Sequence, residues 1–482
     1  MERAELAFIP VPGAGHLVPM VELAKALTTR DERISVTVFV MEVPFQSKLN
    51  SYTQSLLSNP PPSRVWFVHL ALDEPTTEDI RSKPGSFWLL DLIQINKSRV
   101  KDFYSSDSTR YELAAFVVDM FCSQFAEVAS EFGVPDYVFF TSNAYFLSLM
   151  FYLQAIQDYQ NWDIAEFKDS DTELSIPGFM NPVPTKVLPY VAFDKEKGGA
   201  LFFVDVPRKL RKTKGILANT FEEFESYTIK CLAEDDKVPP IYTIGPVLNL
   251  KAETSNDQKD LVQYEEIMAW LDCQPSTSVV FLCFGSMGTF EAEQVVEIAT
   301  ALEHGGHWFL WSLWRPPPEG KKEPPSDYEN LSDVLPEGFL DRTKEVGKVI
   351  GWAPQIAVLS HPAVGGFVSH CGWNSIMESL WFGVPIATWP LYAEQQINAF
   401  EMVKELQLAV EISLDYKKEN HAILTAEEIE RGIKQLMEGN ASVEIKKKVK
   451  AMSEKSWSAV EEGGSSYAAV GRFIEEVLNR SS

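Results

Sequence analysis

The chain is poor in the residues that build covalent or metal-centred scaffolds. Among 482 residues there are five cysteines and seven histidines. Cys122, Cys231, Cys273, Cys283 and Cys371 form no C-x-x-C pair, and several lie in apolar runs such as "VVFLCFGS". They read as buried free thiols in a reducing compartment. Positive charge is also scarce, with 43 Lys+Arg against 68 Asp+Glu and a formal net charge of -25. No diffuse positive field attracts a phosphate backbone, which excludes nucleic acid as a partner. An anionic ligand must therefore be held by local donors. No apolar run is long enough to span a bilayer, and a strand pattern begins almost at once, with no signal-peptide signature. The expectation by elimination is a cytoplasmic protein without a transmembrane segment. Sequons at Asn96 and Asn440 are then chance.

Several catalytic signatures are missing as well. "VPGAGHLVPM" (11–20) follows an apolar run, yet neither G-x-G-x-x-G nor Gly-Lys-Ser/Thr follows it. A nicotinamide dehydrogenase needs the first of these after a strand, and neither half of the chain supplies it. A serine hydrolase needs G-x-S-x-G; "FGSMG" (284–288) has its first glycine one place too late.

What is present is alternation. Hydrophobic residues make up 45% and charged residues 23%, ordinary for a globular enzyme. "ELAFIPVP", "ISVTVFVM", "RVWFVHL", "AAFVVDM" and "DYVFFTS" read as strands, with helical patterns between most of them. Strands this uniformly apolar belong to parallel sheets covered by helices on both faces. The polar stretch "KAETSNDQKD" (251–260) reads as a linker, after which alternation restarts with "SVVFLCFGS", "HWFLWSL", "KVIGW", "GGFVSH" and "PIATWP". "RPPPEGKKEPPSDYEN" reads as a surface loop. The length and the two successive α/β halves predict two Rossmann-like domains.

The densest constellation is "WAPQIAVLSHPAVGGFVSHCGWNSIMESLWFGVPIATWPLYAEQ" (352–395). "GGFVSH" is a strand ending at His370, "CGWNS" a tight turn, and "NSIMESLWFG" a short helix closed by Gly383. His370, Gly372, Asn374 and Ser375 thus gather at a helix N-terminus, where backbone N–H groups and the helix dipole favour an anion. Ser375 and Glu378 also have capping-box spacing, so Glu378 could serve only the helix start. Trp352 and Trp373, taken alone, fit core or rim aromatics. His304, His307 and His361 read as turn histidines without carboxylate or cysteine partners, not as metal ligands.

Taken whole, the segment resembles the signature box of plant family-1 glycosyltransferases that use uridine diphosphate (UDP) sugars. "GHL.P" near the N-terminus, "FGS" at Gly285-Ser286 and "LPEGF" at 335–339 agree with it. The resemblance implies the GT-B architecture, an α/β fold of two Rossmann-like domains whose parallel sheets face each other across a cleft. The boundaries are set at 1–248 for the acceptor domain, 249–262 for a linker, 263–460 for the donor domain, and 461–482 for a C-terminal helix packing back on the first domain. It implies that Trp352 stacks on uracil, the Ala353 backbone bonds its edge, and Gln355 and Glu378 hold the ribose. His370, Gly372, Asn374, Ser375 and Ser286 would hold the diphosphate. Trp373, Glu394 and Gln395 would face the sugar, with Glu394 standing where many members have Asp. Gln395 points to glucose, so UDP-glucose is the expected donor.

The same resemblance makes His16 the base that deprotonates the acceptor hydroxyl, with Asp119 behind it. The residues support this independently. His16 follows the first strand, at the strand ends where such folds bind ligands. Asp119 ends "AAFVVDM", which lies beside the first strand in a 3-2-1-4-5 order. An imidazole with an ordinary pKa of about 6.5 suits proton abstraction near neutral pH. The bland alternative is a histidine bonded to a carbonyl and an aspartate capping the next helix. Gly15, Trp88, Phe121, Thr141 and Tyr145 are the candidate acceptor contacts, and Gly13, Ala14 and Gly15 provide clearance. No D-x-D pair sits near the box, so no metal or other cofactor is required. The expected partners are a UDP-sugar and a small phenolic acceptor; a triterpenoid or hormone acceptor and a non-catalytic phenolic carrier remain alternatives. Monomer is the default state.

Overall fold

The architecture is that of a computed structural model, which describes residues 3–43, 51–58, 64–83, 87–106, 112–196, 198–250, 258–318, 323–415 and 423–479. The chain forms two compact units. The first comprises Met1–Thr185, Val191–Asn249 and Ser458–Ser482; the second comprises Lys186–Tyr190 and Leu250–Trp457.

The first unit holds strands β1 (Ala4–Ile9), β2 (Ile34–Met41), β3 (Val65–Leu70), β4 (Glu112–Asp119), β5 (Asp136–Phe140), the short antiparallel pair β6 (Glu173–Leu174) and β7 (Val183–Pro184), then β8 (Gly215–Ala218) and β9 (Ile241–Thr243). Helices α1 (Ala14–Arg30), α2 (Ser51–Ser58), α3 (Glu74–Ser82), α4 (Phe87–Ser105), α5 (Ala126–Glu131), α6 (Ala144–Gln160), α7 (Gly199–Leu210) and α8 (Ser226–Glu234) lie between them. The main sheet is seven-stranded, in the order β3-β2-β1-β4-β5-β8-β9, and its pairs are parallel. β1 and β2 are buried at every residue, as a sheet covered on both faces requires.

The second unit contains α9 (Gln258–Asp272), β10 (Val279–Cys283), α10 (Ala292–Gly305), β11 (Trp308–Ser312), α11 (Phe339–Thr343), β12 (Gly347–Ile350), α12 (Gln355–Ser360), β13 (Val364–Ser369), α13 (Trp373–Trp381), β14 (Ile386–Thr388), α14 (Gln395–Phe400), β15 (Ala409–Glu411), α15 (Ala426–Met437) and most of α16 (Gly439–Val460). Its six-stranded sheet runs β12-β11-β10-β13-β14-β15, again in parallel. The last helix, α17 (Ser465–Leu478), returns to the first unit. There Ala469, Phe473, Ile474 and Val477 join the core formed by β1, β2, β4 and α1.

Both sheets reverse their winding once, and the reversals place the chemistry. In the first, the chain moves outward from β1 to β3 and then crosses to β4. Ile9 pairs with Val118, so the segments leaving β1 and β4 start side by side. In the second, the reversal lies between β10 and β13, and Cys283 pairs with Ser369.

Several local expectations change. α9 starts at Gln258, inside the stretch read as linker, and 251–257 lie outside the described residues, as do 319–322 of the proline-rich loop. Cys122, Cys283 and Cys371 are buried, whereas Cys231 is half-buried and Cys273 exposed; all five are free. Asn96 is fully buried and donates to the Leu92 carbonyl at 2.9 Å, so its sequon is closed to modification in the folded chain. His361 and His307 do have carboxylate neighbours, Asp272 at 3.2 Å and Glu438 at 3.5 Å. Among the described residues no group of three or more His, Cys, Asp or Glu side chains could hold a metal, and no helix is long and apolar enough to cross a membrane.

Candidate active site

In the first unit the site is built on the β1–β4 reversal. α1 begins at Ala14, and the Gly13 carbonyl accepts from the His16 and Leu17 N–H groups at 3.1 and 2.9 Å. His16 therefore sits in the first helical turn, its side chain 26% exposed. Gly13 has φ +150°, a conformation that side chains disfavour, while a Cβ there would meet nothing within 4 Å. Its smallness thus serves the backbone, and clearance is left to Ala14 and Gly15, which are exposed.

Asp119, at the end of β4, is fully buried. Its Oδ2 lies 2.7 Å from His16 Nδ1, and its Oδ1 accepts from the Phe121 N–H at 3.0 Å. One oxygen thus caps the turn after β4 and the other holds the imidazole. A carboxylate only accepts, so His16 Nδ1 carries the proton and Nε2 keeps its lone pair. Thr141, just after β5, places its hydroxyl 3.0 Å from the same Nδ1. The Phe121 ring meets the imidazole edge-on at 5.6 Å, and Phe202 from α7 packs on Phe121 at 5.3 Å. This arrangement holds the ring in one orientation and favours the tautomer with its proton on Nδ1.

In the second unit the β10–β13 reversal gathers the box. α13 starts at Trp373 with Gly372 as its N-cap, and no side chain caps it. Ser375 lies inside the helix, so the capping-box reading of Ser375 and Glu378 is wrong. Their partner is Gln355, at the start of α12, whose Nε2 donates to Ser375 Oγ at 2.9 Å and to Glu378 Oε2 at 2.6 Å. His370 is buried between two glycines. A Cβ on Gly285 would approach its Nε2 to 2.7 Å and one on Gly372 to 2.5 Å, so neither position accepts a larger residue without displacing the ring. Burial pushes the His370 pKa down to about 4, against an opposing bond to the Cys283 backbone. The ring is therefore neutral at physiological pH. Cys371 and Ala393 are non-glycine residues with φ of 62° and 54°, immediately before the turns into α13 and α14. Asn398 holds the Cys371 carbonyl at 2.9 Å. Strained backbone of this kind concentrates at functional turns.

Comparison with known proteins decides the family. The family described as UDP-glucoronosyl and UDP-glucosyl transferase matches residues 242–454. A Fragaria ananassa UDP-glucose flavonoid 3-O-glucosyltransferase 6 is 51% identical, over 99% of this chain and 99% of its own. The chain belongs to the plant family-1 UDP-sugar-dependent glycosyltransferases. It is therefore a UDP-glycosyltransferase enzyme with the GT-B fold. Solved relatives agree. A glycosyltransferase from Siraitia grosvenorii in complex with UDP superposes with a TM-score of 0.87, at 46% identity over 99% of this chain and 100% of that one. Medicago truncatula UGT71G1 complexed with UDP-glucose gives 0.86, at 42% identity over 98% of each chain.

The remaining residues of this glycosyltransferase fall as follows. Trp352 and Ala353, both half-buried, form the turn between β12 and α12. Ser286 is exposed directly after Gly285, and Glu394 is half-buried at the N-cap of α14. Trp373 is only 3% exposed, so its ring is buried at the helix start. Gln395 is equally buried, and its Oε1 accepts from the Leu391 and Tyr392 N–H groups at 2.9 and 3.0 Å. Both acceptor positions of its amide oxygen are thus taken up within this turn. Among the acceptor candidates, Gly15 is exposed, and Trp88 and Phe121 are half-buried. Tyr145 is a core ring, 1% exposed and packed on Phe179 at 4.8 Å. Its backbone N–H donates to the buried Glu225 at 3.0 Å. Sequence reasoning missed Asn398 and the contact of Thr141, because partners 27 and 125 residues away leave no local pattern.

Proposed function

We propose that this glycosyltransferase transfers glucose from UDP-glucose to a hydroxyl of a small phenolic plant metabolite with inversion at the anomeric carbon, and that it needs no metal. The observation that carries the reading is the 2.7 Å contact between His16 Nδ1 and the buried Asp119 carboxylate. In this reading Nε2 takes the proton from the acceptor hydroxyl as its oxygen attacks C1. The bond from C1 to the diphosphate oxygen breaks, and that electron pair leaves with UDP. Asp119 stabilises the imidazolium that forms. The uncapped start of α13, with neutral His370, Asn374, Ser375 and Ser286, disperses the leaving charge in place of a cation. Trp352 and Ala353 take uracil. Gln355 and Glu378 take the ribose, exchanging part of their mutual bond for the diol.

The phenolic acceptor is supported by the flavonoid substrate in the strawberry relative's name and by the Phe121–Phe202 aromatic pair beside His16. Glucose is supported by the Medicago truncatula complex. The test is incubation with UDP-glucose or UDP-galactose and a panel of phenols, triterpenoids and aliphatic alcohols, read by mass and by the anomeric coupling constant of the product. A β-glucoside of a phenol is the expected product. Binding without turnover would make the chain a carrier, and preferred galactose transfer or retained configuration would overturn the donor or mechanistic assignment.

A further inference from the structure

Gln263 lies near the start of α9. It shares a helix face with Ile267 and Leu271, four and eight positions on, both fully buried. Gln263 itself is half-buried at the end of that stripe. Its Nε2 donates to the Trp352 carbonyl at 2.8 Å. The preceding carbonyl is held from another side, by Ser312 Oγ at the end of β11, which donates to Gly351 O at 2.7 Å. Gly351 itself is pressed against Asp327, whose Oδ1 a Cβ would approach to 2.0 Å. α9 is tied to the same region again through Glu266 and Lys348 on β12, at 3.6 Å. Two consecutive peptide planes of the turn are thus pinned through their oxygens.

A peptide unit is planar and trans, so fixing the Trp352 carbonyl fixes the opposed Ala353 N–H. A donor on the carbonyl also polarises that N–H and makes it a better donor. We propose that Gln263 is a positioning residue for nucleobase selection. From α9, it aims the Ala353 N–H so that the turn accepts a carbonyl edge, as uracil presents, and opposes the amino edge of cytosine. The inference rests on the assignment of Ala353 to the base made above, and it assigns the selectivity of that contact to a side chain that does not itself touch the nucleotide.

The experiment measures the affinities of the full chain for UDP and CDP by calorimetry, and KM and kcat with UDP-glucose, for wild type, Gln263→Leu and Gln263→Glu. Losing one positioning hydrogen bond should weaken UDP by about five- to tenfold in Gln263→Leu. CDP should change little, so the UDP:CDP ratio falls. The KM for UDP-glucose should rise with kcat at saturation held. Gln263→Glu keeps the length and helix propensity but presents an acceptor. It should lose selectivity at neutral pH and regain part of it as the pH falls towards a carboxyl pKa of about 4.3, where the acid can donate. A helix brace alone would restore both nucleotides together, and wild type carried through the same pH series accounts for protonation of the cytosine ring in that range. Wild type binding UDP and CDP alike would overturn the assignment of Ala353 to the base. A discriminating wild type with variants that discriminate equally well, or that lose both nucleotides in parallel, would overturn the role of Gln263 alone. If Gln263→Leu fails to fold, the pH-dependent selectivity of Gln263→Glu decides.

Discussion

Replacing Asp119 with asparagine keeps the shape of a buried side chain and removes one property, the ability to accept at both oxygens. The carboxylate accepts from His16 Nδ1 at 2.7 Å and from the Phe121 N–H at 3.0 Å. An amide has one oxygen and one NH₂. If the oxygen keeps Phe121, the NH₂ meets Nδ1, the imidazole proton moves to Nε2, and the ring can no longer take a proton. If the oxygen keeps His16, the turn after β4 loses its cap, at a cost of about 1 kcal/mol. In both cases the negative charge facing the developing imidazolium is gone. A hydrogen bond to a charged group contributes about 1.5–3 kcal/mol, or roughly 10- to 150-fold in rate. The wrong tautomer removes part of the general-base factor of about 10²–10⁴ as well. For an acceptor of ordinary acidity, kcat/KM should therefore fall by about 10²–10³, with the melting temperature little changed. The assay is kcat/KM over pH for both forms, with ¹⁵N shifts of the His16 ring to read the tautomer. An Asp119→Asn variant with wild-type kcat/KM, or one that loses activity with the wild-type tautomer and charge response intact, would show that Asp119 does not act through the His16 ring.

Other outcomes follow from the same geometry. If the start of α13 carries the leaving charge as proposed, activity should persist in excess chelator; a loss restored by magnesium or manganese would contradict this. His370→Ala should lower kcat even with saturating donor, because charge on the leaving group grows in the transition state; a change in donor KM alone would make His370 a binding residue only. Glu225 is fully buried and its pKa is raised to about 7 by burial, against opposing bonds from Thr220 and the α6 N-terminus. A raised carboxyl contributes stability that is complete below its unfolded pKa of about 4.5 and is lost as pH rises through about 7. Glu225→Gln should therefore flatten the fall in melting temperature between these values, and an unchanged slope would show that Glu225 does not titrate there.

Much of the fold is legible because it is written in contiguous apolar runs. β1, β2, β4, β5, β10, β11 and β13 coincide with segments whose burial on both faces shows in their composition. The shorter strand β8, four residues in "KGILAN", has too little sequence to declare itself. α9 reads in part as linker because its first turn is polar, and the amphipathic stripe begins only at Gln263. At the site, His16 and Asp119 are legible together, since strand order alone makes them neighbours. The start of α13 is legible to within one residue, but its cap is not, because Gly372 caps it through backbone conformation, whereas Ser375 carries the more familiar capping chemistry. The bond of Gln355 to Ser375 and Glu378, and that of Gln263 to the Trp352 carbonyl, join segments 20 to 89 residues apart. Such contacts are products of packing and leave no periodic trace.

If His16 removes the acceptor proton, the loss on replacing it must depend on acceptor acidity. General-base help matters in proportion to how tightly the nucleophile holds its proton, and its usual size is about 10²–10⁴-fold. kcat/KM is measured for wild type and His16→Ala across acceptors matched in size and graded in pKa, from aliphatic alcohols through phenols near pKa 10 to acidic phenols already ionised at neutral pH. A base at His16 predicts near-complete loss with the alcohols, a strong loss with ordinary phenols, and a much smaller one with acidic phenols. Equal losses across the series would contradict it and leave His16 as a residue that positions the substrate or supports the fold.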